Sequence, residues 1–529
     1  MHYSRLRSVT GCFFYRVIRT MQSLIIKKLF MANGAAVAFL MITLVGTVTA
    51  EESTVSVTLK DAIRMAAEKN LDIKAELYNP AQAEADIRRF RSIYDPNLTL
   101  QTAYGESTAP STSVGTAIIT SQKSFNLNAG ITRLTPWGGT LGLTFNNGWT
   151  KMDFSDAKAT NEYYQNKLAV TINQPLLKNF GRENTELNIS LASYAKEASL
   201  HQFLTRLTDI ITQVRSEYFA LYYLRENLEV NKSSLTLANK ILDETRARVK
   251  AGVLPAMEIL NAEFNTSTRE SAVINAEQAL SDKRDQLRLI CQITEPGIID
   301  PVDSPLTTTI QTVETDAVTL ALNSRPELKQ LRENLKSALL QERVLKNQTA
   351  PDLSFVASAG VQGIDSTFSG QWAAMGRSDY PVWNVGFTFN YPLGNNAAEN
   401  DSIKSSLKVA QLRLQIKSQE ESIANEVRAA IRSVRAGYKQ LDVTNRGSAY
   451  AEEVLTAYIK KAAVGLATTK DVFDVQNNLV AAKAAEIQAR VSYDNALTNY
   501  WKTTGEILHH EGVKITGLEA NELYGKKEK

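Results

Sequence analysis

Cysteine and histidine are scarce in this chain, which has 2 and 4 of them among 529 residues. Only Cys291 lies beyond the N-terminal 50 residues, a predicted secretory signal, so no intrachain disulfide is expected in the mature chain. The histidines beyond residue 50 are His201, His509 and His510, and their spacing is not that of metal ligands. A phosphate-binding glycine loop and a nucleophile motif are also lacking. The sequence therefore predicts a protein without enzymatic activity, cofactor or metal site.

The chain also lacks a large excess of charges of one sign, and it lacks long apolar runs. The formal net charge is +3, and it becomes −3 without residues 1–50, which contribute six basic residues and no acidic ones. With this balance the chain has no net positive potential that would attract the phosphates of a nucleic acid, so nucleic acid is not an expected partner. Charged residues make up 22% and hydrophobic residues 43%, which is incompatible with a series of transmembrane helices. Insertion into a membrane would therefore have to use β-strands.

The N-terminal segment has the order of features found in secretory signals. Lys27 and Lys28 precede an apolar stretch at residues 35–45, and the small-residue tripeptide VTA follows at residues 48–50. This order predicts cleavage after Ala50. A membrane anchor is the alternative, although the apolar stretch is shorter than the roughly 20 residues of a spanning helix.

Internal repetition is the strongest pattern beyond the signal. Residues 61–98 align without gaps with residues 316–353 at an offset of 255. Further on, NQPL at residues 173–176 aligns with NYPL at residues 390–393 at an offset of 217. The difference between the two offsets, 38 residues, is an insertion in the first copy.

These offsets divide the chain into four parts. They are a signal and N-terminal extension at 1–50, a first repeat at 51–300, a second repeat at 301–508 and a polar C-terminal tail at 509–529. Past Gly505 the chain is predicted to pack loosely around the middle of the helical region. His509 and His510 lie in this stretch and are expected to be solvated.

Each repeat contains one long segment without proline, at residues 183–250 and 399–463. Apolar residues recur there at spacings of three, four and seven, which marks one face of a helix. At ~1.5 Å per residue each helix could approach roughly 100 Å, longer than a globular core needs. A glycine-marked break and another helix follow each time. The narrow apolar stripe is typical of coiled-coil packing with a watery face, and a dimeric coiled-coil spacer is the alternative.

Period-two alternation predicts strands in both repeats. At residues 383–391 large apolar side chains alternate with small polar ones, and residues 168–173 alternate in the same way. The pattern is typical of a transmembrane β-barrel and also of a half-buried strand in a soluble sandwich; the signal and the very long helices favour the barrel. The insertion predicts a hairpin at residues 123–149 with a Pro/Gly turn, which either widens the barrel or projects as a loop.

Two repeats supply four principal strands, too few for closure, since small closed barrels need about eight. Sister subunits are therefore expected to complete the barrel. A trimer would have twelve strands, or eighteen if the hairpin joins the wall. The predicted fold class is thus a mixed one, a membrane β-barrel plus a long α-helical coiled-coil barrel, with two internal repeats per chain and closure by a trimer.

Residues 56–507 resemble the TolC family of outer-membrane efflux proteins. The resemblance rests on the repeat, on the strand ends NQPL and NYPL, and on breaks at residues 248–253 and 464–474 that are similar to the family's periplasmic helix-turn-helix tips. It implies a homotrimer with a twelve-stranded barrel in outer-membrane lipid and a helical tunnel in the periplasm. It also implies a periplasmic adaptor protein and an inner-membrane transporter as partners. Where many relatives have a lipid-modified cysteine this chain has Glu51, so no lipid anchor is expected.

The resemblance places the family's acidic periplasmic gate at Asp471 and Asp474, three residues apart on one helical face. Six such carboxylates in a trimer would repel one another and attract cations. Thr468 with Asp471 also fits a capping box, so capping of a helix N-terminus is the alternative. The arginine and tyrosine that brace the closed gate of the best-known member fall at Ala467 and Ala462, so both braces are missing here.

The two breaks are also candidate docking tips for the adaptor. Gly252 with Val253, and Gly465 with Leu466, place a small residue beside an apolar one where a partner helix could dock. Simple chain reversal, which glycine permits, is the alternative.

The predicted function is an outer-membrane channel of a tripartite efflux or export system, a passive conduit from periplasm to exterior. A drug, metal or polypeptide cargo would need the same tunnel, so type I protein secretion is one alternative. A structural coiled-coil protein of the envelope, with no conductance, is an alternative of a different class.

Overall fold

The computed structural model describes residues 54–108, 119–154, 160–294, 297–310 and 313–513. The predicted signal at residues 1–50 and the tail beyond residue 513 lie outside the described residues. The chain divides into two compact units. The described part of the smaller unit is residues 54–55 and 297–300, and the larger unit contains the other described residues.

Helices and strands alternate in blocks along the chain. The helices are α1 (Leu59–Lys69), α2 (Leu71–Arg91), α3 (Arg182–Thr185), α4 (Leu187–Lys250), α5 (Met257–Cys291), α6 (Glu314–Ser324), α7 (Pro326–Asn347), α8 (Phe368–Gly376), α9 (Asn396–Ala463), α10 (Thr469–Thr504) and α11 (Ile507–His510). The strands are β1 (Thr54–Val57), β2 (Asn97–Thr108), β3 (Ile119–Leu134), β4 (Thr140–Phe154), β5 (Thr160–Pro175), β6 (Ile298–Pro301), β7 (Asp352–Asp365) and β8 (Tyr380–Asn390). Strands β1 and β6 form a two-stranded sheet.

The two long helices lie where the absence of proline predicted them. α4 has 64 residues and α9 has 68, which at 1.5 Å per residue gives lengths of about 96 Å and 102 Å. The apolar stripe of each is buried, at Ile210, Val214, Tyr218 and Leu221 on α4 and at Ile423, Val427, Ile431 and Val434 on α9. α4 packs against α5, and α9 packs against α10. No helix among the described residues is both long and apolar enough to cross a membrane.

The larger sheet has six strands, not the four principal strands expected from the sequence. Its order is β2-β3-β4-β5-β7-β8, and every neighbouring pair is antiparallel. The inserted hairpin, β3 and β4, therefore lies within the sheet between β2 and β5. This decides between the two alternatives for the hairpin, because both of its strands make full ladders with strands of the original pattern.

The hairpin turn at residues 135–139 is held against the following segment of the chain. Gly138 has a φ of 88°, which favours glycine. The Trp137 carbonyl oxygen accepts hydrogen bonds from Gly181 N at 3.2 Å and from Gln174 Nε2 at 3.1 Å. The turn is thus fixed where β5 leads into the helices.

The prediction of loose packing after Gly505 is wrong for the described residues. Gly505 ends α10 with a φ of 79° and turns the chain back. Ile507 is then fully buried, and the His510 ring stacks on Trp501 with 3.7 Å between centroids. Glu511 pairs with the buried Arg215. Arg215 is 296 positions away from Glu511 in the chain, so the composition of this stretch alone did not reveal the ion pair that anchors it.

Candidate functional site

One face of the six-stranded sheet is apolar from edge to edge. Residues directly opposite each other on neighbouring strands point to the same side, so the strand register assigns every side chain to a face. The apolar face carries Leu98, Leu100 and Tyr104 on β2, Phe125, Leu127 and Ile131 on β3, Leu141, Leu143, Phe145 and Trp149 on β4, Tyr164, Leu168, Val170 and Ile172 on β5, Phe355 and Val361 on β7, and Trp383, Val385, Phe387 and Phe389 on β8. Many are open to solvent in the single chain, up to 79% for Trp383.

The opposite face is mostly polar. It carries Asn126, Asn128 and Thr132 on β3, Thr144 and Asn146 on β4, Gln165, Lys167 and Thr171 on β5, Ser358 and Gln362 on β7, and Asn384 and Thr388 on β8. A sheet with one apolar and one polar face, both uncovered over most of their area, requires two different surroundings.

Charged and aromatic side chains form two rows at the loop end of the apolar face, which is the end of the sheet farthest from the long helices α4 and α9. The charged row consists of Glu106, Lys123, Lys151 and Glu162, which are direct cross-strand neighbours. The aromatic row, two residues closer to the helices on each strand, consists of Tyr104, Phe125, Trp149 and Tyr164. Lys123 Nζ lies 3.2 Å from Glu106 Oε1, and Trp149 Nε1 donates to Glu162 Oε1 at 2.9 Å.

Helix α8 lies on the apolar face, just beyond the aromatic row towards the helices. Trp372 stacks on Phe145 with 5.6 Å between centroids, and Phe368 meets the edge of Tyr164 at 5.9 Å. Gln371 Nε2 donates to Asn147 Oδ1 at 3.1 Å. Sequence reasoning missed this helix. The available signal was Thr367, whose Oγ1 accepts from Gly370 N at 3.1 Å as a helix N-cap does.

The predicted docking tips are exposed chain reversals. Gly252 and Gly465 have φ angles of 74° and 80°, and no other atom lies near where their Cβ atoms would be. Val253 and Leu466 follow them and are 69% and 78% exposed. Glycine therefore allows the chain to reverse at each tip, which was the alternative interpretation of these glycines. The apolar residue beside it stays accessible in the single chain.

Asp471 forms the predicted capping box at the start of α10. Its Oδ2 accepts from Thr468 N at 2.8 Å and from Thr468 Oγ1 at 2.7 Å, and its own N donates to Thr468 Oγ1 at 3.2 Å. These hydrogen bonds lower the pKa of Asp471 below its ordinary value. Asp474, one turn on, is exposed and takes no part in the cap. The two carboxylates thus differ, because that of Asp471 is hydrogen-bonded in the cap and that of Asp474 is not part of it.

Arg248 joins the two tips. Its Nη1 donates to the carbonyl oxygen of Ala462 at 2.9 Å, which links the end of α4 to the end of α9. The role of Arg248 could not be predicted from the sequence, because a hydrogen bond to a backbone carbonyl does not depend on the partner's residue type.

A buried ion pair holds the helical part together. Arg215 is 2% exposed, and its Nη2 lies 2.9 Å and 3.2 Å from the two carboxylate oxygens of Asp494, which is fully buried. Arg215 Nε donates to Thr498 Oγ1 at 2.8 Å, and the guanidinium lies 5.1 Å from the Trp501 ring centroid. Burial raises the pKa of Asp494 above its ordinary value, although Arg215 opposes this. These contacts join α4 to α10.

Within the described residues, groups that could carry chemistry are not brought together. Cys291 is fully buried, and burial raises the pKa of its thiol to about 12, so the reactive thiolate is suppressed. Among the residues that the structure describes, no three of His, Cys, Asp and Glu are grouped so as to hold a metal ion.

Comparison with known proteins agrees with this architecture. The family model described as outer membrane efflux protein matches residues 62–291 and 317–506. The outer membrane efflux protein BepC of Brucella suis biovar 1 is 21% identical over 361 residues, which cover 68% of this chain and 76% of BepC. The outer membrane protein TolC of Escherichia coli K12 is 24% identical over 309 residues, which cover 55% of this chain and 61% of TolC.

Solved structures show the same fold. The outer membrane protein VceC from Vibrio cholerae has a TM-score of 0.60 at 16% identity, over 84% of this chain and 96% of VceC. The outer membrane channel CmeC of Campylobacter jejuni has a TM-score of 0.59 at 13% identity, over 87% of this chain and 90% of CmeC. The resemblance to the TolC family is thereby confirmed: the chain belongs to the outer membrane efflux protein family, whose members are channels of the outer membrane.

Proposed function

We propose that three copies of the chain close one barrel and one helical tunnel, forming the outer-membrane conduit of a tripartite efflux or export system. The observation that carries this proposal is the six-stranded sheet, which ends in two edges, β2 and β8, with the apolar face running to both. Six strands are too few to close alone, since small closed barrels need about eight. Sister chains would pair both edges, turn the apolar face to lipid and enclose the polar face around water.

The size of the apolar face supports a membrane-spanning barrel. The ten residue-to-residue steps from Tyr164 to Gln174 on β5, at ~3.4 Å each and a tilt of ~40°, rise about 26 Å, close to the roughly 25 Å apolar band of outer-membrane barrels. The aromatic row then lies at one interface, with the charged row among the headgroups. Three copies of six strands give eighteen strands and a backbone diameter of about 36 Å, against about 24 Å for twelve.

The sequence offsets predict how neighbouring chains pair. If the two halves of the chain are structural repeats, the β5–β7 ladder inside a chain is repeated by β8 of one chain and β2 of the next. In the chain Asn173 lies opposite Val356. Adding 217 to the first residue number and subtracting 255 from the second places Asn390 opposite Gln101 of the neighbouring copy. In the same register Phe387 lies opposite Tyr104 of that copy. This register keeps the apolar and polar faces continuous across the subunit boundary.

Cysteine pairs across that boundary test the proposal. In this register Thr388 lies opposite Ala103 of the next copy, both on the polar face, so the Thr388→Cys/Ala103→Cys variant should form interchain disulfides and a covalent trimer on a denaturing gel. The Thr388→Cys/Thr102→Cys variant places its cysteines on opposite faces and should not crosslink. Monomers under oxidising conditions in the first variant, or equal crosslinking in both, would refute the interface. Cys291 is buried and does not compete.

We assign the periplasmic gate to Asp471 and Asp474, as the family resemblance implies. In a trimer the two positions would give six carboxylates near the axis, a field that concentrates cations. Only Asp474 is free of the capping box, so Asp474→Asn separates the gate from the cap. It is expected to weaken block of the channel by divalent cations by about tenfold or more, the size of effect that a focused field produces.

Single-channel recording in planar bilayers measures this block. Asp442→Asn, at an exposed carboxylate on α9 paired with Arg446, is the matched control and should leave block unchanged. Adding Asp471→Asn should weaken block further. Unchanged block in both the single and the double gate variants would refute the gate and leave Asp471 with its capping role alone.

We also assign adaptor docking to the two tips, at Gly252, Val253, Gly465 and Leu466. Exposed apolar residues at reversals of otherwise regular helices support this, because a groove beside a small residue admits another helix closely. The inner-membrane transporter would supply the energy, and the channel would offer a polar, water-filled path.

A further inference from the structure

We propose that helix α8 is an interfacial helix that lies in the outer leaflet of the membrane and contacts lipid acyl chains, instead of being part of a water-exposed loop. The inference rests on the proposed barrel and goes beyond it. In the chain, α8 lies in the connection between β7 and β8, at the loop end of the sheet, where polar loops would be expected to extend into water.

The position of α8 on the sheet is the first argument. Its partners Phe145, Tyr164 and Asn147 all belong to the apolar face; Tyr164 lies in the aromatic row, and the other two lie beyond it towards the helices. A helix at this depth on the lipid side of the wall is within the apolar band. It packs against β5 and β7 and contacts β4 through Phe145 and Asn147, in the middle of the sheet, so a neighbouring copy pairing at β2 or β8 would not cover it.

The composition of α8 is the second argument. From Phe368 to Gly376 the helix has no charged residue, while Asp365 precedes it and Arg377 and Asp379 follow it. Phe368 and Trp372, whose rings contact the sheet, still keep 55% and 41% of their surface exposed. Aromatic side chains flanked by charges are typical of helices that lie in a membrane interface.

The buried polar groups beneath α8 are the third argument. Asn147 and Asn166 stand on the apolar face, where an uncovered amide in lipid would be costly. Asn166 and Gln371 are fully buried; Asn166 Oδ1 accepts from Gly363 N at 3.1 Å, and Gln371 bonds to Asn147. A Cβ atom at Gly363 would collide with the Gln371 carbonyl, so glycine allows the close approach. The helix thus covers polar groups that lipid could not satisfy, and joins the inserted hairpin to β5 and β7.

Spin labels on single cysteines test the proposal in nanodiscs of phosphatidylcholine, using oxygen as the lipid-soluble relaxant and a nickel chelate as the aqueous one. The label at Ala373→Cys on α8 should behave like one at Val170→Cys on the apolar face, and unlike one at Asn173→Cys on the polar face. Greater access of nickel than of oxygen at position 373, with position 170 still in lipid, would overturn the interfacial helix alone. Access of nickel at position 170 as well would refute the barrel on which it rests.

A second variant tests the seating of the helix. Gly363→Ala should lift α8 and raise the access of nickel to the label at position 373. Gly386→Ala is the matched control, because nothing lies within 4 Å of its added Cβ atom. An unchanged label in Gly363→Ala would contradict the close packing of α8 against the wall.

Discussion

Replacement of Val170 by arginine is expected to destabilise the membrane-inserted protein by about 2–4 kcal/mol, whereas the same replacement at Thr171 is expected to cost little. Val170 lies in the middle of β5 on the apolar face, between Leu143 and Ala359, and is 52% exposed in the single chain. In the proposed barrel its side chain meets lipid acyl chains, which cannot solvate a guanidinium. Thr171 faces the opposite side, where water can.

Unfolding from lipid vesicles by guanidinium measures the difference. The two variants differ by one position on the same strand, so strand propensity, depth and added volume are matched. An equal loss in both would mean that the two faces do not have different surroundings. A larger loss for Thr171→Arg would place lipid on the wrong side of the sheet and overturn the assignment of faces.

The second large effect is expected at the buried ion pair of the helical part. Arg215→Leu should cost about 3–5 kcal/mol, because it leaves the Asp494 carboxylate buried without its partner. The double variant Arg215→Leu/Asp494→Leu should recover part of that loss, because it removes the buried Asp494 carboxylate and leaves only Glu511, the other partner of Arg215, without its cation. Chemical unfolding followed by the helical circular dichroism signal measures both. A double variant as unstable as the single one would show that the pair is not coupled.

The pH dependence of Arg215→Leu follows from the raised pKa of Asp494. Without Arg215 only the hydrogen bond from Leu306 N still opposes the effect of burial, so the pKa of this carboxyl in the folded chain rises further. A carboxyl with a raised folded-state pKa stabilises the fold below its unfolded pKa and loses that contribution as the pH rises through the folded one. The deficit of the variant should therefore shrink as the pH falls towards 3.8 and be largest in neutral solution. A deficit independent of pH would contradict this assignment.

The long helices and the principal strands could be predicted from the sequence because each is set by local rules. Absence of proline over residues 183–250 and 399–463 permits continuous helix, and spacing of apolar residues fixes the buried stripe. Alternation at residues 383–391 likewise predicts β8 to within a few residues. The capping box at Thr468 and Asp471 is also a local pattern.

Three features depend on contacts between distant parts of the chain. They are the inclusion of the hairpin in the sheet, the position of α8 and the pairing of Arg215. A hairpin inside a sheet and one projecting beyond it have the same alternation, so only the ladders of β3 with β2 and of β4 with β5 decide. Helix α8 is nine residues long with two glycines, and packing more than propensity stabilises it. Arg215 finds Asp494 across 279 positions of the chain, although its place beside the apolar stripe of α4 was a visible hint.

Electron microscopy of the purified protein in lipid nanodiscs would show whether sister chains close one wall. We expect three copies around one axis, eighteen strands in a wall about 36 Å across, and a continuous central passage through the helical part. A wall of twelve strands with the hairpin outside it, or a single chain without any central passage, would contradict it.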